Sequence, residues 1–499
     1  MALTRRFFIG GATAFGAFGG NRFLEAIGAT LPGKAPNLTF GVVSDVHVRD
    51  SSNSASGIAT LRHTLEWFRD QGVDAVMAVG DLADCGMVEE LQAVAQAWYE
   101  VFPDDKAPDG RRVEKLFVYG NHDYHGYLYG DHAVKRHAKE APHIDFGAWS
   151  RNHILRSDLA GWWKKIFHED YTRLYRKEIK GYTFLGQHWD DGTGMETRYG
   201  NCPFGEELKG FLEAHGQSLD PTRPFFYFQH PHPKNTCYGP WAWGHDRGLV
   251  TEVLSSYPNA MAFSGHSHYS LTDERTIWQG AFTSVGTSSL RYTGTPYDQR
   301  SPFGYENTTT GQPCDEQKVM ADFSAGDCRQ GMLWRVYDDQ VVVQRREFVS
   351  DLFVGPDWVL PLQTVEPKPF DFASRMKKVR APEFPKGAKV TVKKVKAKTC
   401  KGGEKDAYEL TFPPALADAA SRPWEYEVVA QGENEKKQSF HVMAEGFNHA
   451  RTHRRATADM MCRIPTDRLP KGLQSFSVVP LDCWWNRGKA LAVDVVAQF

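Results

Sequence analysis

Ala260-Met261-Ala262-Phe263-Ser264-Gly265-His266-Ser267-His268 is a short apolar run that breaks into two histidines at i, i+2. Two imidazoles placed just beyond a buried strand cannot both be core residues. They read as neutral ligands offered from a strand end to a metal ion. The pair gains weight because other apolar runs also end in Asp, Asn or His. Leu38 to Val43 stops at Ser44-Asp45-Val46-His47, and Val73 to Val79 stops at Gly80-Asp81-Leu82-Ala83-Asp84. Leu116 to Tyr119 stops at Gly120-Asn121-His122-Asp123, and Pro224 to Phe228 stops at Gln229-His230-Pro231-His232.

These runs are continuously apolar rather than alternating, as expected of strands covered on both faces. Between them the spacing of Ile58, Leu61, Leu65 and Phe68 predicts a helix over about 58–69, closed by Gly72, and a second helix is predicted over about 88–102. The β-α-β-α-β order predicts a largely parallel sheet with right-handed crossovers. The carboxyl ends of such strands open on one edge, where ligands bind, so residues far apart in sequence converge there. Carboxylate, imidazole and amide together suit borderline divalent cations such as Mn, Fe or Zn, and suit Ca less. Asp45, His47, Asp81, Asn121, His230, His266 and His268 are too many ligands for one catalytic zinc and suit two ions sharing a carboxylate.

Asp45-x-His47, Gly80-Asp81-x-x-Asp84, Gly120-Asn121-His122-Asp123, His230 and Gly265-His266-x-His268, in this order and at strand ends, resemble the successive motifs of the calcineurin-like metallophosphoesterases. The resemblance covers roughly residues 38–290, with trailing strands to about 350. It implies an α/β sandwich with a dinuclear centre at the strand carboxyl ends. By that resemblance Asp45, His47, Asp81 and His268 would hold one metal, and Asp81, Asn121, His230 and His266 the other, with Asp81 bridging. A metal-bridging hydroxide would attack a phosphate mono- or diester in line. His122 would protonate the leaving oxygen, and Asp84 would orient His122 through a carboxylate–imidazole pairing that favours the charged ring. Purple acid phosphatases carry a metal-ligating Tyr where this chain has Asp84, which disfavours a tyrosinate–Fe(III) site.

His-Pro-His at 230–232 leaves two candidates for one ligand position. His230 lies nearer the strand end and is preferred; His232 could then face the substrate phosphate or be a solvated loop residue. Tyr124 and His125 follow the Asn-His-Asp motif and could border the cleft. Tyr238, Trp241 and Trp243 could wall an aromatic or sugar-bearing substrate, or simply pack a loop.

With 499 residues the chain is too long for one core. Residues 36–360 read as the catalytic domain, with a cap-like insertion over 124–180 that has helical stretches near 131–140 and 157–178. A proline- and lysine-rich linker follows over 361–385. Short β-like runs over 386–499 then predict a small β-sandwich. A formal net charge of -2 offers no global basic field, so nucleic acid is not expected as a partner. The eight cysteines form no CxxC, which argues against a zinc ribbon, and disulfides would be possible after export. Thr4-Arg5-Arg6-Phe7-Phe8-Ile9-Gly10 resembles a twin-arginine export signal, with Ala26-Ile27-Gly28 as a cleavage site and residues 1–28 outside the fold. The implied partner is the twin-arginine export machinery, and the implied location is periplasmic or secreted. No mature stretch is apolar enough to anchor in a membrane. The competing functions are a nuclease and a non-catalytic cell-envelope binding protein that keeps metals as structure.

Overall fold

The computed structural model describes residues 34–49, 54–128, 146–192, 204–239, 244–293, 328–363, 366–398, 403–416, 423–444 and 459–495. In chain order the first half runs β1 (Leu38–Val43), α1 (Ser54–Asp70), β2 (Ala75–Val79), α2 (Val88–Val101), β3 (Glu114–Val118), α3 (Asn121–His125), α4 (Phe146–His153), α5 (Leu159–Phe167), β4 (Leu174–Ile179) and β5 (Tyr182–Gln187). It continues α6 (Glu206–His215), β6 (Phe225–Gln229), α7 (Leu249–Leu254), β7 (Ala260–Ser264), β8 (Ile277–Gln279), β9 (Thr283–Gly286), β10 (Gln330–Val336), β11 (Gln340–Glu347), β12 (Leu352–Phe353) and β13 (Trp358–Pro361).

β1, β2 and β3 pair in parallel, as the β-α-β-α-β order predicts. The strands as a whole divide into the two mixed sheets of the expected α/β sandwich. The first runs β12-β11-β10-β1-β2-β3, with β13 also on β11, and the second runs β4-β5-β6-β7-β9-β8. The β1-β2-β3 and β5-β6-β7-β9 pairings are parallel, whereas β10 is antiparallel to β1 and β4 to β5. Local order could not reveal the division, because both sheets are built from equally apolar strands. The reason lies in alternation within each strand. Leu38, Phe40 and Val42 of β1 face Phe184, Phe226, Phe228 and Phe263 of the second sheet, and Phe40 lies 5.0 to 6.1 Å from the rings of Phe184, Phe226, Phe263 and Trp334.

The outer faces are covered by helices. Leu61, Leu65 and Phe68 of α1, Leu91, Val94 and Trp98 of α2 and Trp163 of α5 pack on Val43, Val76, Ala78 and Phe117. Leu208 and Leu212 of α6 and Val250 and Leu254 of α7 pack on Leu185, Phe225, Tyr227, Ala260 and Ala262. The result is a four-layered α/β sandwich built over residues 38–286, with β10–β13 completing its first sheet. Gly41 makes one of these contacts possible: a Cβ there would sit 2.5 Å from the Phe68 ring.

The predicted helical stretch over 157–178 needs correction. α5 stops at His168, which takes a left-handed φ of 59°, and Leu174–Ile179 is the edge strand β4. Its alternating charges mark a half-solvated edge strand, and they mimic a polar helix face. The stretch near 131–140 lies outside the described residues. The segment read as a linker carries helix α8 (Phe372–Lys378), and its Phe370 packs on Trp358.

Beyond it come β14 (Thr391–Lys398), β15 (Glu404–Phe412), β16 (Glu425–Gln431), β17 (Lys437–Met443), β18 (Met460–Pro465), β19 (Ser475–Leu481) and β20 (Leu491–Asp494). They form antiparallel sheets ordered β14-β15-β18 and β17-β16-β19-β20. Leu410, Phe412, Cys462 and Ile464 from the first share a core with Val428, Phe440, Val442, Phe476 and Val478 from the second. The unit is all-β. Among the described residues no helix is long and apolar enough to cross a membrane, and no disulfide joins the buried Cys85, Cys237, Cys328, Cys462 and Cys483. Cys202, Cys314, Cys400 and the twin-arginine-like stretch lie outside the described residues.

Candidate metal centre

The site lies where the carboxyl ends of both sheets meet. Past β1 and β2 the two chains stay paired, through Asp45 N–H to Gly80 O at 3.0 Å and His47 N–H to Asp81 O at 2.9 Å. Past β6 and β7, Gly265 N–H bonds His230 O at 2.9 Å. The sheets are tied across by Leu290 N–H to Ser44 O at 3.0 Å and by His266 N–H to Asp45 Oδ2 at 3.1 Å. Asp45, His47, Asp81, His266 and His268 all have φ between 46° and 71°, the left-handed region that non-glycine residues rarely adopt. Strain of this kind persists only where surrounding contacts over-determine it, and it gathers at functional sites.

Each carboxylate is pinned by one oxygen and offers the other. Asp45 Oδ2 accepts from Ser44 Oγ at 2.5 Å and from His266 N, while the buried Oδ1 has no hydrogen bond and faces His268 Nε2 at 2.9 Å, His47 Nε2 at 3.7 Å and His230 Nε2 at 3.8 Å. Asp81 Oδ1 accepts from His122 N at 2.7 Å, and its Oδ2 faces His230 Nε2 at 3.1 Å and His47 Nε2 at 3.5 Å. The imidazoles are oriented from behind. His230 Nδ1 donates to Val79 O at 2.7 Å and His268 Nδ1 to Tyr292 O at 3.2 Å, while His47 Nδ1 meets Asp84 Oδ1 at 2.8 Å. A carbonyl can only accept, so these contacts fix the proton on Nδ1 and turn the Nε2 lone pair inward, the arrangement that metal-ligating histidines use. Asp45, His47, Asp81 and His268 form one donor group and Asp81, His230 and His266 a second, with Asp81 common to both. Asn121 is buried at the start of α3, beside the Asp81 carboxylate that accepts the next N–H.

The motif glycines have a steric reason. A Cβ on Gly80 would lie 2.5 Å from His230 Nδ1, one on Gly120 2.2 Å from Asp81 Oδ1, and one on Gly265 2.0 Å from Ser44 Oγ. Gly265 therefore permits the close approach of the two sheets.

The electrostatics favour positive charge in the pocket. Burial opposes ionisation of Asp45, but His268 and His230 outweigh it and hold the carboxyl well below its usual range. Burial likewise opposes charge on Asp81, where His230 and His122 prevail and the pKa is lowered. Burial disfavours charged imidazole, yet the neighbouring carboxylates raise His47 well above its ordinary value and His230 to about 9. A pocket that draws protons onto imidazoles in this way draws a divalent cation more strongly. Ring nitrogens and carboxylate oxygens, buried and mutually facing, fit Mn, Fe or Zn.

Asp84 differs from its expected role. Its carboxylate holds His47 and the Arg49 guanidinium, and its main-chain carbonyl accepts from His122 Nδ1 at 2.7 Å. Asp84 does hold the His122 ring, but by its backbone, with Oδ1 3.7 Å away. Burial lowers the His122 pKa, so the ring's charged form is not favoured. Asp123 accepts the N–H groups of Leu82, Ala83 and Gly120, which clamps the β2 and β3 ends together.

Several proposed substrate contacts are turned away from the cleft. His232 is buried, with hydrogen bonds on both ring nitrogens, so it is neither a solvated residue nor a surface for substrate. Tyr238 is buried, and its hydroxyl lies 3.0 Å from Thr276 Oγ1. Tyr124 and His125 are buried around Arg156, whose guanidinium stacks 4.2 Å over the Tyr124 ring. Trp241 and Trp243 lie outside the described residues. The aromatic residues that do border the centre escaped notice: Tyr292, 41% exposed, with its ring 4.3 Å from His268, and Trp189, 5.8 Å from His266. Trp189 stands two residues past β5, so the strand-end rule applied to β5 would have found it. Arg49 continues the i, i+2 series of Asp45 and His47 and was equally legible.

Residues 38–270 match the model of the calcineurin-like phosphoesterase family. The second sheet of the sandwich continues past the matched residues, through β8 and β9. Solved structures with a similar chain path include a dimetal phosphatase from Danio rerio (14% identity, 66% of this chain and 100% of that one, TM-score 0.39). Others are a purple acid phosphatase from yellow lupin seeds (11%, 66% and 54%, TM-score 0.38) and zinc-complexed Vps29 from Entamoeba histolytica (11%, 65% and 100%, TM-score 0.26). A search of curated proteins gives no match.

Proposed function

We propose that the protein is a metal-dependent phosphoric ester hydrolase that cleaves a small phosphate mono- or diester with two divalent ions. The observation that carries this reading is Asp81, whose carboxylate is shared by two donor groups. Asp45, His47, Asp81 and His268 would hold one ion, and Asp81, Asn121, His230 and His266 the other. Ions bound there supply Lewis acidity, lowering the pKa of water and screening the phosphoryl oxygens.

The chain's own residues do the rest. The pinned oxygens of Asp45 and Asp81 fix the donor geometry without rearrangement. His122 is 27% exposed, and its Nδ1 is committed to the Asp84 carbonyl, so proton transfer to a leaving oxygen falls to Nε2. The Arg49 guanidinium, 48% exposed and tied to Asp84, places fixed positive charge at the same side of the centre. Export by the twin-arginine machinery, to the periplasm or beyond, is proposed on residues 4–10 alone.

Hydrolysis of a bis-aryl phosphate and of an aryl phosphate, before and after chelation and with Mn²⁺ restored, tests the reading and separates diesterase from monoesterase. Turnover of at least one ester that vanishes on chelation and returns with Mn²⁺ is expected. No turnover of either ester with Mn²⁺ present contradicts it.

A further inference from the structure

His232 lies two residues beyond His230 and is only 1% exposed. Its Nδ1 lies 2.7 Å from Ser264 Oγ, at the end of β7, and its Nε2 lies 2.7 Å from Ser267 Oγ, between His266 and His268. The ring thus spans the turn that carries both histidines and grips it at either side of Gly265. The backbone of the same residue holds a second element. His232 N–H donates to Gly244 O at 3.0 Å, and His232 O accepts from Asp246 N at 2.7 Å. Gly244, at φ 73°, lies so close to His266 that a Cβ there would be 2.0 Å from the ring's Cδ2. His266 is therefore braced through Ser267 on one side and through Gly244 on the other, and both braces end on His232. His268 is held independently, by Tyr292 O and by Asp45.

We propose that His232 is a positioning residue that sets His266, and that it thereby governs occupancy of the second metal position while leaving the first to its own supports. This rests on the dinuclear reading above. Outer partners of metal-ligating histidines are typically worth ~10–100-fold in metal affinity. The contact through Ser267 is one residue removed from the ligand, so the lower part of that range applies to Ser267→Ala and the upper part to His232→Ala.

Chelated protein titrated with Mn²⁺ in a calorimeter tests this without recourse to activity. The wild-type chain is expected to show two binding events. His232→Ala should keep the first within a few-fold and weaken the second ~10–100-fold. His232→Gln, whose amide can still reach Ser267, should recover part of the loss. Ser267→Ala removes one hydroxyl and leaves the packing in place, so it decides the matter if His232→Ala does not fold. Equal second-event affinity in wild type and Ser267→Ala or His232→Ala overturns the positioning role alone, as does equal weakening of both events. A single event in the wild-type chain overturns the dinuclear reading, and the positioning role with it.

Discussion

Asp81, Asp45 and the histidines facing them were legible as residue types at strand ends, because metal ligation needs lone pairs where backbone strands stop. Which nitrogen faces the centre was not legible. Place at the strand end favours His230 over His232 in the sequence, and the structure separates them by the carbonyl of Val79 behind one and the hydroxyls of Ser264 and Ser267 around the other. Asp84 shows the same limit: a residue's side chain and carbonyl can serve different neighbours, and sequence names only the residue. His122→Ala should slow hydrolysis of esters with poor leaving groups by ~10²–10⁴ and of activated aryl esters far less, read as kcat against leaving-group pKa; an equal loss on both would remove His122 from proton transfer. Protons compete with the cation for the same ring nitrogens. Neighbouring carboxylates raise His230 to about 9, so in chelated protein the ring keeps its proton below that pH. A cation must displace that proton, so apparent Mn²⁺ affinity should rise with pH over the range up to about 9. Calorimetry in buffers of different ionisation enthalpy should register proton release at pH 7.

At the scale of elements, the strands and helices around the centre were foreshadowed by apolar runs and by the helical spacing of Leu61, Leu65 and Phe68. Their distribution between two sheets followed from the motif resemblance and not from local order, since pairing partners depend on which face each Phe presents. β4 was misread because alternating charge on a half-solvated edge strand resembles a polar helix face. The glycines after the strands are the most specific local device, for they let a ligand from one strand end approach the backbone of the next. Gly120→Ala would place a Cβ 2.2 Å from Asp81 Oδ1 and 2.5 Å from Asp81 N. It should displace the shared carboxylate and weaken metal uptake by ~10–100-fold, a second-sphere magnitude. Wild-type affinity in Gly120→Ala, measured by Mn²⁺ titration, would count against the close-approach account.

Across the whole molecule, the all-β unit is joined to the sandwich by a buried charge. Arg275 is 0% exposed, forms a bidentate pair with Asp273 and lies 4.8 Å and 5.2 Å from the rings of Trp424 and Trp485. Its carbonyl accepts from Tyr238 N at 2.8 Å, which links the junction to the loop beyond β6. Composition shifts at 361–385 announced two units, but the contacts between them have no sequence signature. Arg275→Ala leaves Asp273 buried and uncompensated, so urea unfolding should show a loss of ~3–5 kcal/mol. A change under ~1 kcal/mol would mean that the pair does not carry the junction. The central claim concerns the other end of the sandwich, where one carboxylate serves two ions. Metal content of the full chain, purified without chelator and measured by elemental analysis, tests it most directly. Two divalent ions per wild-type chain, falling below two in Asp81→Asn, is the predicted result; one ion per wild-type chain, or two in both, would contradict it.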